Sequence, residues 1–174
     1  MRPWRILVAF ALALPAQGCG FHPLYGDFGA TAGTGDKLAS IYVEPIPDRL
    51  GFELRNTMID LFDGPGRPAG ATYMLRVTLD EKSEGIAVQN DAAITRYNDT
   101  LTVDYQLRDA KTGTILTQGR ETGLSAYNVV ASPYATLAAQ QDADKRSADD
   151  IAERIRTDLA VYFAHGVSSA PAKK

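Results

Sequence analysis

An α+β two-layer sandwich, with about four strands in one sheet and two helices covering one face, is the fold class this sequence predicts. Three observations carry it. Two segments alternate apolar and polar residues, two others repeat apolar residues at helical spacing, and the order is strand, helix, three strands, helix. Strands that are polar on alternate positions imply a sheet with one covered face.

The chain opens with Arg2 and Arg5 ahead of nine apolar residues, Ile6 to Leu14, then Pro15-Ala16-Gln17-Gly18-Cys19. A basic start, a short apolar run and small residues make a secretory signal over residues 1–18, because nine residues cannot span a bilayer. The lone cysteine at the cleavage point suggests a bacterial lipoprotein with Cys19 acylated on its thiol and new amine. An ordinary secretory signal that happens to precede a cysteine is the alternative. Several acyl chains make a stable anchor, each buried CH₂ contributing roughly 0.8 kcal/mol. Gly20 follows the anchor, where an Asp would retain a lipoprotein in the inner membrane of many Gram-negative bacteria, so the outer membrane is favoured.

Removing the signal leaves 156 of 174 residues and takes the net charge from −3 to −5. That length suits one domain with a core. A mildly acidic domain has no general attraction for nucleic acid, so any anionic ligand must be met by a local cluster. With Cys19 acylated no cysteine remains for a disulfide, and no other apolar stretch approaches a membrane helix.

Residues 19–38, rich in Gly, Ala, Thr and Asp, are expected as the acylated N-terminus and a tether. A single domain is expected over 39–165. Residues 39–44 make a short strand closed by Pro45 and Pro47. Asp48 is the expected N-cap of a helix over 48–63, in which Leu50, Leu54, Met58 and Leu61 recur at helical spacing before Gly64-Pro65-Gly66. From Ala71 the period becomes two: Tyr73, Leu75, Val77 and Leu79 face one way, with Met74, Arg76, Thr78 and Asp80 opposite. Residues 84–93 are open between strand and turn. Leu101, Val103, Tyr105 and Leu107 then alternate with Thr102, Asp104, Gln106 and Arg108. The loop from Asp109 to Gly113 returns the chain as a hairpin through about Ala126. Ser132-Pro133 starts a helical region reaching Gly166, either one helix of 31 residues or two meeting near Ser147, since Asp142 to Asp150 is almost wholly polar. Residues 166–174 read as a disordered tail.

Little here points to catalysis. His22 and His165 have no Cys, Asp or second His at ligand spacing, so no metal site is expected. Gly123-Leu-Ser125-Ala-Tyr127 resembles a nucleophile elbow but lacks the final Gly and ends a hairpin strand. The glycines of 64–70 alternate with prolines that remove amide donors. The carboxylates fall nearly all on expected polar faces. We therefore expect no enzyme and no cofactor beyond the acyl chains on Cys19.

Basic residues are the better candidates. Arg96, Arg108, Lys111 and Arg120 lie on the central strands or their hairpin, and clustered cations can hold phosphate or carboxylate. The alternative is ordinary surface pairing with Asp104, Asp109 or Glu121. Tyr97, Tyr105, Tyr127 and Tyr134 are expected mostly to pack, an exposed one being able to anchor a protein interface.

The run Cys19-Gly-Phe-His-Pro-Leu-Tyr25 resembles the start of the LptE family of lipopolysaccharide-assembly lipoproteins. The likeness continues through Arg96-Tyr97, then Val103, Tyr105, Leu107 and Asp109, Thr112-Gly113, and Tyr127 leading to an Ala-rich helix. This resemblance implies a small α+β plug seated 1:1 in a large LptD-type outer-membrane β-barrel, assisting its assembly. Together the two insert lipopolysaccharide into the outer leaflet, from an anchor on the periplasmic side. Arg96, Lys111 and Arg120 are the candidates to contact lipopolysaccharide phosphates. A lipid-anchored adaptor of another envelope machine is the alternative, and a periplasmic hydrolase using Ser125 or His165 is a third reading.

Overall fold

A computed structural model describes residues 33–67, 70–87 and 94–165. The elements are α1 (Thr34–Ala39), β1 (Ile41–Val43), α2 (Asp48–Phe62), β2 (Tyr73–Ala87), β3 (Ile94–Asp109), β4 (Ile115–Asn128) and α3 (Pro133–His165). The strands form one sheet in the order β1-β2-β3-β4. β1 pairs parallel to β2, which requires the crossover that α2 provides, and the other neighbours are antiparallel. This is the expected α+β sandwich.

Register turns the period-two pattern into two faces. Leu75 sits opposite Leu107, Val77 opposite Tyr105 and Leu79 opposite Val103. Their face meets the helices: Leu75, Val103 and Leu107 are fully buried, in one core with Leu54 and Met58 of α2 and Ile151, Ile155 and Leu159 of α3. α3 lies along β4 and beside α2. Gly123 of β4 permits the close approach, since a Cβ there would collide with Ser147 Oγ and lie 2.9 Å from Ile151 Cδ1.

α2 keeps its expected span, but Asp48 is its first residue rather than its cap. Pro47 precedes it, no side-chain cap forms, and Asp48 has a φ of 66°. Part of the segment expected as a tether is folded: Thr34–Ala39 is helical, with Thr34 and Leu38 buried and Lys37 over the Phe163 ring. One buried leucine holds this turn, too little to give a periodic signal. Ile86 continues β2, while residues 88–93, the signal, Cys19 and the 166–174 tail lie outside the described residues.

The hairpin loop forms as its residues suggest. Asp109 Oδ1 accepts from the amides of Lys111 and Thr112, and Gly113 takes a φ of 71°. α3 is one helix of 33 residues, about 50 Å long. Ser132 Oγ accepts the Ala135 amide at its start. Its polar middle stays helical because outward residues pair at one-turn spacing: Arg146 with Asp142, Lys145 with Asp149 at 2.7 Å and Arg154 with Asp150 at 2.6 Å. Ala143, Asp144, Ser147 and Ala148 meanwhile face inward.

Candidate functional site

The sheet face away from the helices is the broadest polar surface that the strands build. The alternation sends Thr78, Asp80, Thr102, Asp104 and Gln106 outward, joined from β4 by Gln118, Arg120 and Thr122. Asp104 and Arg120 sit opposite each other in register. Arg120 donates two hydrogen bonds to that carboxylate, from Nε at 2.7 Å and Nη2 at 3.0 Å, and this holds Asp104 below the usual carboxylate range. Arg76 pairs with Glu44 at 2.8 Å, and Arg108 donates to Gln106 at 2.7 Å. Leu124, four-fifths exposed, and Ile86 are apolar exceptions on this face.

The three candidate cations are not brought together. Arg120 lies mid-sheet and is engaged by Asp104, which is the ordinary surface pairing for this residue. Lys111 is exposed in the β3–β4 loop. Arg96 sits near the other end of β3, opposite Asn128, and donates to Asn98 Oδ1 at 3.3 Å. Arg96 and Asp109 are thirteen residue steps apart on β3, roughly 43 Å at about 3.3 Å per residue. One phosphate group cannot touch all three. Arg96 instead shares a shallow surface pocket with Arg146, Ser125, Ser147 and Asp150.

The tyrosines divide as expected. Tyr105 is buried and donates to Asp158 Oδ2 at 2.8 Å, and burial pushes its hydroxyl pKa up. Tyr97 and Tyr127 stack with ring centroids 5.4 Å apart, and Tyr134 is four-fifths exposed. Ser125 lies within β4 opposite Asp99, not at a strand-to-helix turn. His165 ends α3, eighteen residues past the Ser147 that flanks Ser125, or about 27 Å along the helix. These two do not form a nucleophile–base pair.

One feature escapes the sequence expectation that carboxylates line solvated faces. Toward the β2–β3 end of the covered face, Glu81, Asp99 and Asp144 bring carboxylate oxygens within 4.8 Å of one another. Asp99 and Asp144 are buried, at 3% and 4% exposure. Arg49 of α2 donates to Asp144 at 2.5 Å and to Glu53 at 2.8 Å, while Ser83 donates to Asp99 Oδ1. Asp99 Oδ2 has no hydrogen-bond partner among the described residues. Burial raises the Asp144 carboxyl pKa against the pull of Arg49, and burial followed by the charges of Asp144 and Asp99 raises that of Glu81. Phase was the available signal: Glu81 stands two residues past Leu79, and Asp99 two before Leu101.

Comparison with known proteins agrees with this architecture. The family model LptE, lipopolysaccharide assembly, matches residues 38–159. An uncharacterized protein of Rickettsia prowazekii is 29% identical over 126 residues, covering 72% of this chain and 78% of its own. The crystal structure of a candidate lipoprotein from Caulobacter crescentus is similar, with a TM-score of 0.67 and 30% identity over 78% of this chain and 99% of that one. Rare lipoprotein B from Shewanella oneidensis shares the fold at a TM-score of 0.52 and 12% identity, over 70% of this chain and 93% of its own. Among the described residues no helix is long and apolar enough to cross a membrane. With its family match spanning the folded core, and its two-faced sheet and helices arranged as in these lipoproteins, the chain belongs to the LptE family of lipopolysaccharide-assembly proteins.

Proposed function

We propose that this chain is the lipid-anchored partner of a large LptD-type outer-membrane β-barrel. It seats in the barrel as a plug in a 1:1 complex, assists barrel assembly, and serves the insertion of lipopolysaccharide into the outer leaflet. The observation that carries this reading is the uncovered sheet face, lined by Thr78, Thr102, Asp104, Gln106, Arg120 and Thr122. Barrel interiors are polar and wet, so a rigid sheet with a polar face is matched to such a wall where an apolar face would not be. Acyl chains on Cys19 keep the domain at the periplasmic side of the outer membrane while the sheet docks.

Arg96, Lys111 and Arg120 remain the candidates for lipopolysaccharide contact. At their separation each would meet a different group along one elongated ligand or its path. Reversing all three to Glu is expected to weaken lipopolysaccharide binding while the circular dichroism spectrum is unchanged; undiminished binding contradicts these contacts. The reading as a whole is tested by purifying C-terminally tagged protein from detergent-solubilised outer membranes and identifying what accompanies it. A stoichiometric large β-barrel retained in high salt is expected. A clean preparation without a barrel, or with other envelope components, shifts the function to an adaptor.

A further inference from the structure

We propose that Glu81, Asp99 and Asp144 bind a hard divalent cation, with Ca²⁺ as the probe, under the β2–β3 end of the sheet. The three carboxylates come from β2, β3 and α3 and meet only because the tertiary fold closes there. Like charges at this separation repel strongly where burial lowers the local dielectric. Compensation by the protein is incomplete. Among the described residues, Arg49 is the cationic side chain that donates a hydrogen bond into the group, and its other nitrogen is held by Glu53.

The unpartnered atom is the second observation. Asp99 is 97% buried, one of its oxygens is satisfied by Ser83, and Oδ2 has no donor among the described residues. A buried carboxylate oxygen without a donor is expensive, and a cation supplies what it lacks. The donors also select the ion. All are oxygens, with no imidazole or thiolate among them, which favours Ca²⁺ or Mg²⁺ over zinc or copper. Glu81 is exposed and gives the ion an entry path. Ser83 offers a neutral oxygen beside Asp99, and water can complete the shell, as Ca²⁺ tolerates. The groups facing the site are Arg49 and Glu53 from α2 and Tyr127 from β4, whose hydroxyl pKa is raised by burial and then by Asp99. A bound ion would tie β2, β3 and α3 together without touching the open sheet face, so this inference stands apart from the barrel reading.

The test uses the full chain stripped with EDTA and titrated with CaCl₂, followed by calorimetry and thermal denaturation. Wild type is expected to bind one ion saturably, and Tm to rise by roughly 5–10 °C at about a hundred times Kd. Glu81 is exposed, so Glu81→Gln preserves the packing; it is expected to weaken binding by about tenfold or more. Asp99→Asn is the second variant, with the same expectation, and Glu153→Gln on the outer side of α3 should bind as wild type does. Absence of saturable binding to wild type overturns the proposal, as does binding undiminished in Glu81→Gln and Asp99→Asn.

Discussion

The two faces of the sheet are built from the same strands, residue by residue in alternation, and they answer to different demands. On β3 the covered face carries Leu101, Val103, Tyr105 and Leu107, all at most 5% exposed. The open face carries Thr102, Asp104, Gln106 and Arg108 between them. Shape complementarity to α2 and α3 constrains the first set, whereas solvent or a partner constrains the second. The carboxylates sharpen the contrast. Asp104, on the open face, is held low by the hydrogen bonds from Arg120, while Glu81 and Asp144 on the covered side are pushed up by burial. The contrast separates two questions: the covered face explains stability, and the open face is where the proposed association is to be tested.

Substitution of adjacent residues should break that contrast most visibly. Leu107→Ala removes a fully buried side chain and is expected to cost about 2–5 kcal/mol, whereas Gln106→Ala next to it should stay within about 0.5 kcal/mol. Urea denaturation of the two variants reads this directly, and equal losses would mean the faces are not distinct. Next in size, Gly123→Ala forces a methyl against Ser147 and Ile151 and should cost about 1–3 kcal/mol by the same measurement.

The smallest effect is in the pH dependence, where the faces should differ in sign. A carboxyl whose folded pKa is raised contributes stability below its unfolded value and loses it as pH rises through the folded one. Glu81→Gln should therefore gain on wild type as pH increases through the carboxylate range in EDTA. A carboxyl held low contributes above its unfolded value and loses stability as pH falls through the folded one. Asp104→Asn should therefore lose ground to wild type as pH rises through the same range. Differences in thermal midpoint between each variant and wild type across that range should slope in opposite directions; parallel slopes would mean the two carboxyls sit in equivalent surroundings.

Much of this arrangement was legible in the sequence. Period-two patterning in 73–79 and 101–107 assigns every residue to its observed face, and apolar spacing marks α2 almost to the residue. Ser132-Pro133 and the Asp109–Gly113 loop behave as local chemistry dictates. Tertiary facts were less accessible. Whether α3 bends at its polar middle depends on inward Ala143, Asp144, Ser147 and Ala148 packing while their neighbours pair outward. The spacing of Arg96, Lys111 and Arg120 depends on strand length, and long strands carry them apart. The Glu81–Asp99–Asp144 group joins residues up to 63 positions apart, and only their apolar phase hinted that they turn inward.

The claim that the open sheet face docks against a barrel wall is tested most directly by photo-cross-linking in living cells. A photoreactive residue is placed in the full-length protein at Thr102 and, separately, at Gln106, and adducts are identified after irradiation. Both positions are expected to yield an adduct with one large outer-membrane β-barrel. Folded, membrane-located protein that gives no barrel adduct at either position would contradict it.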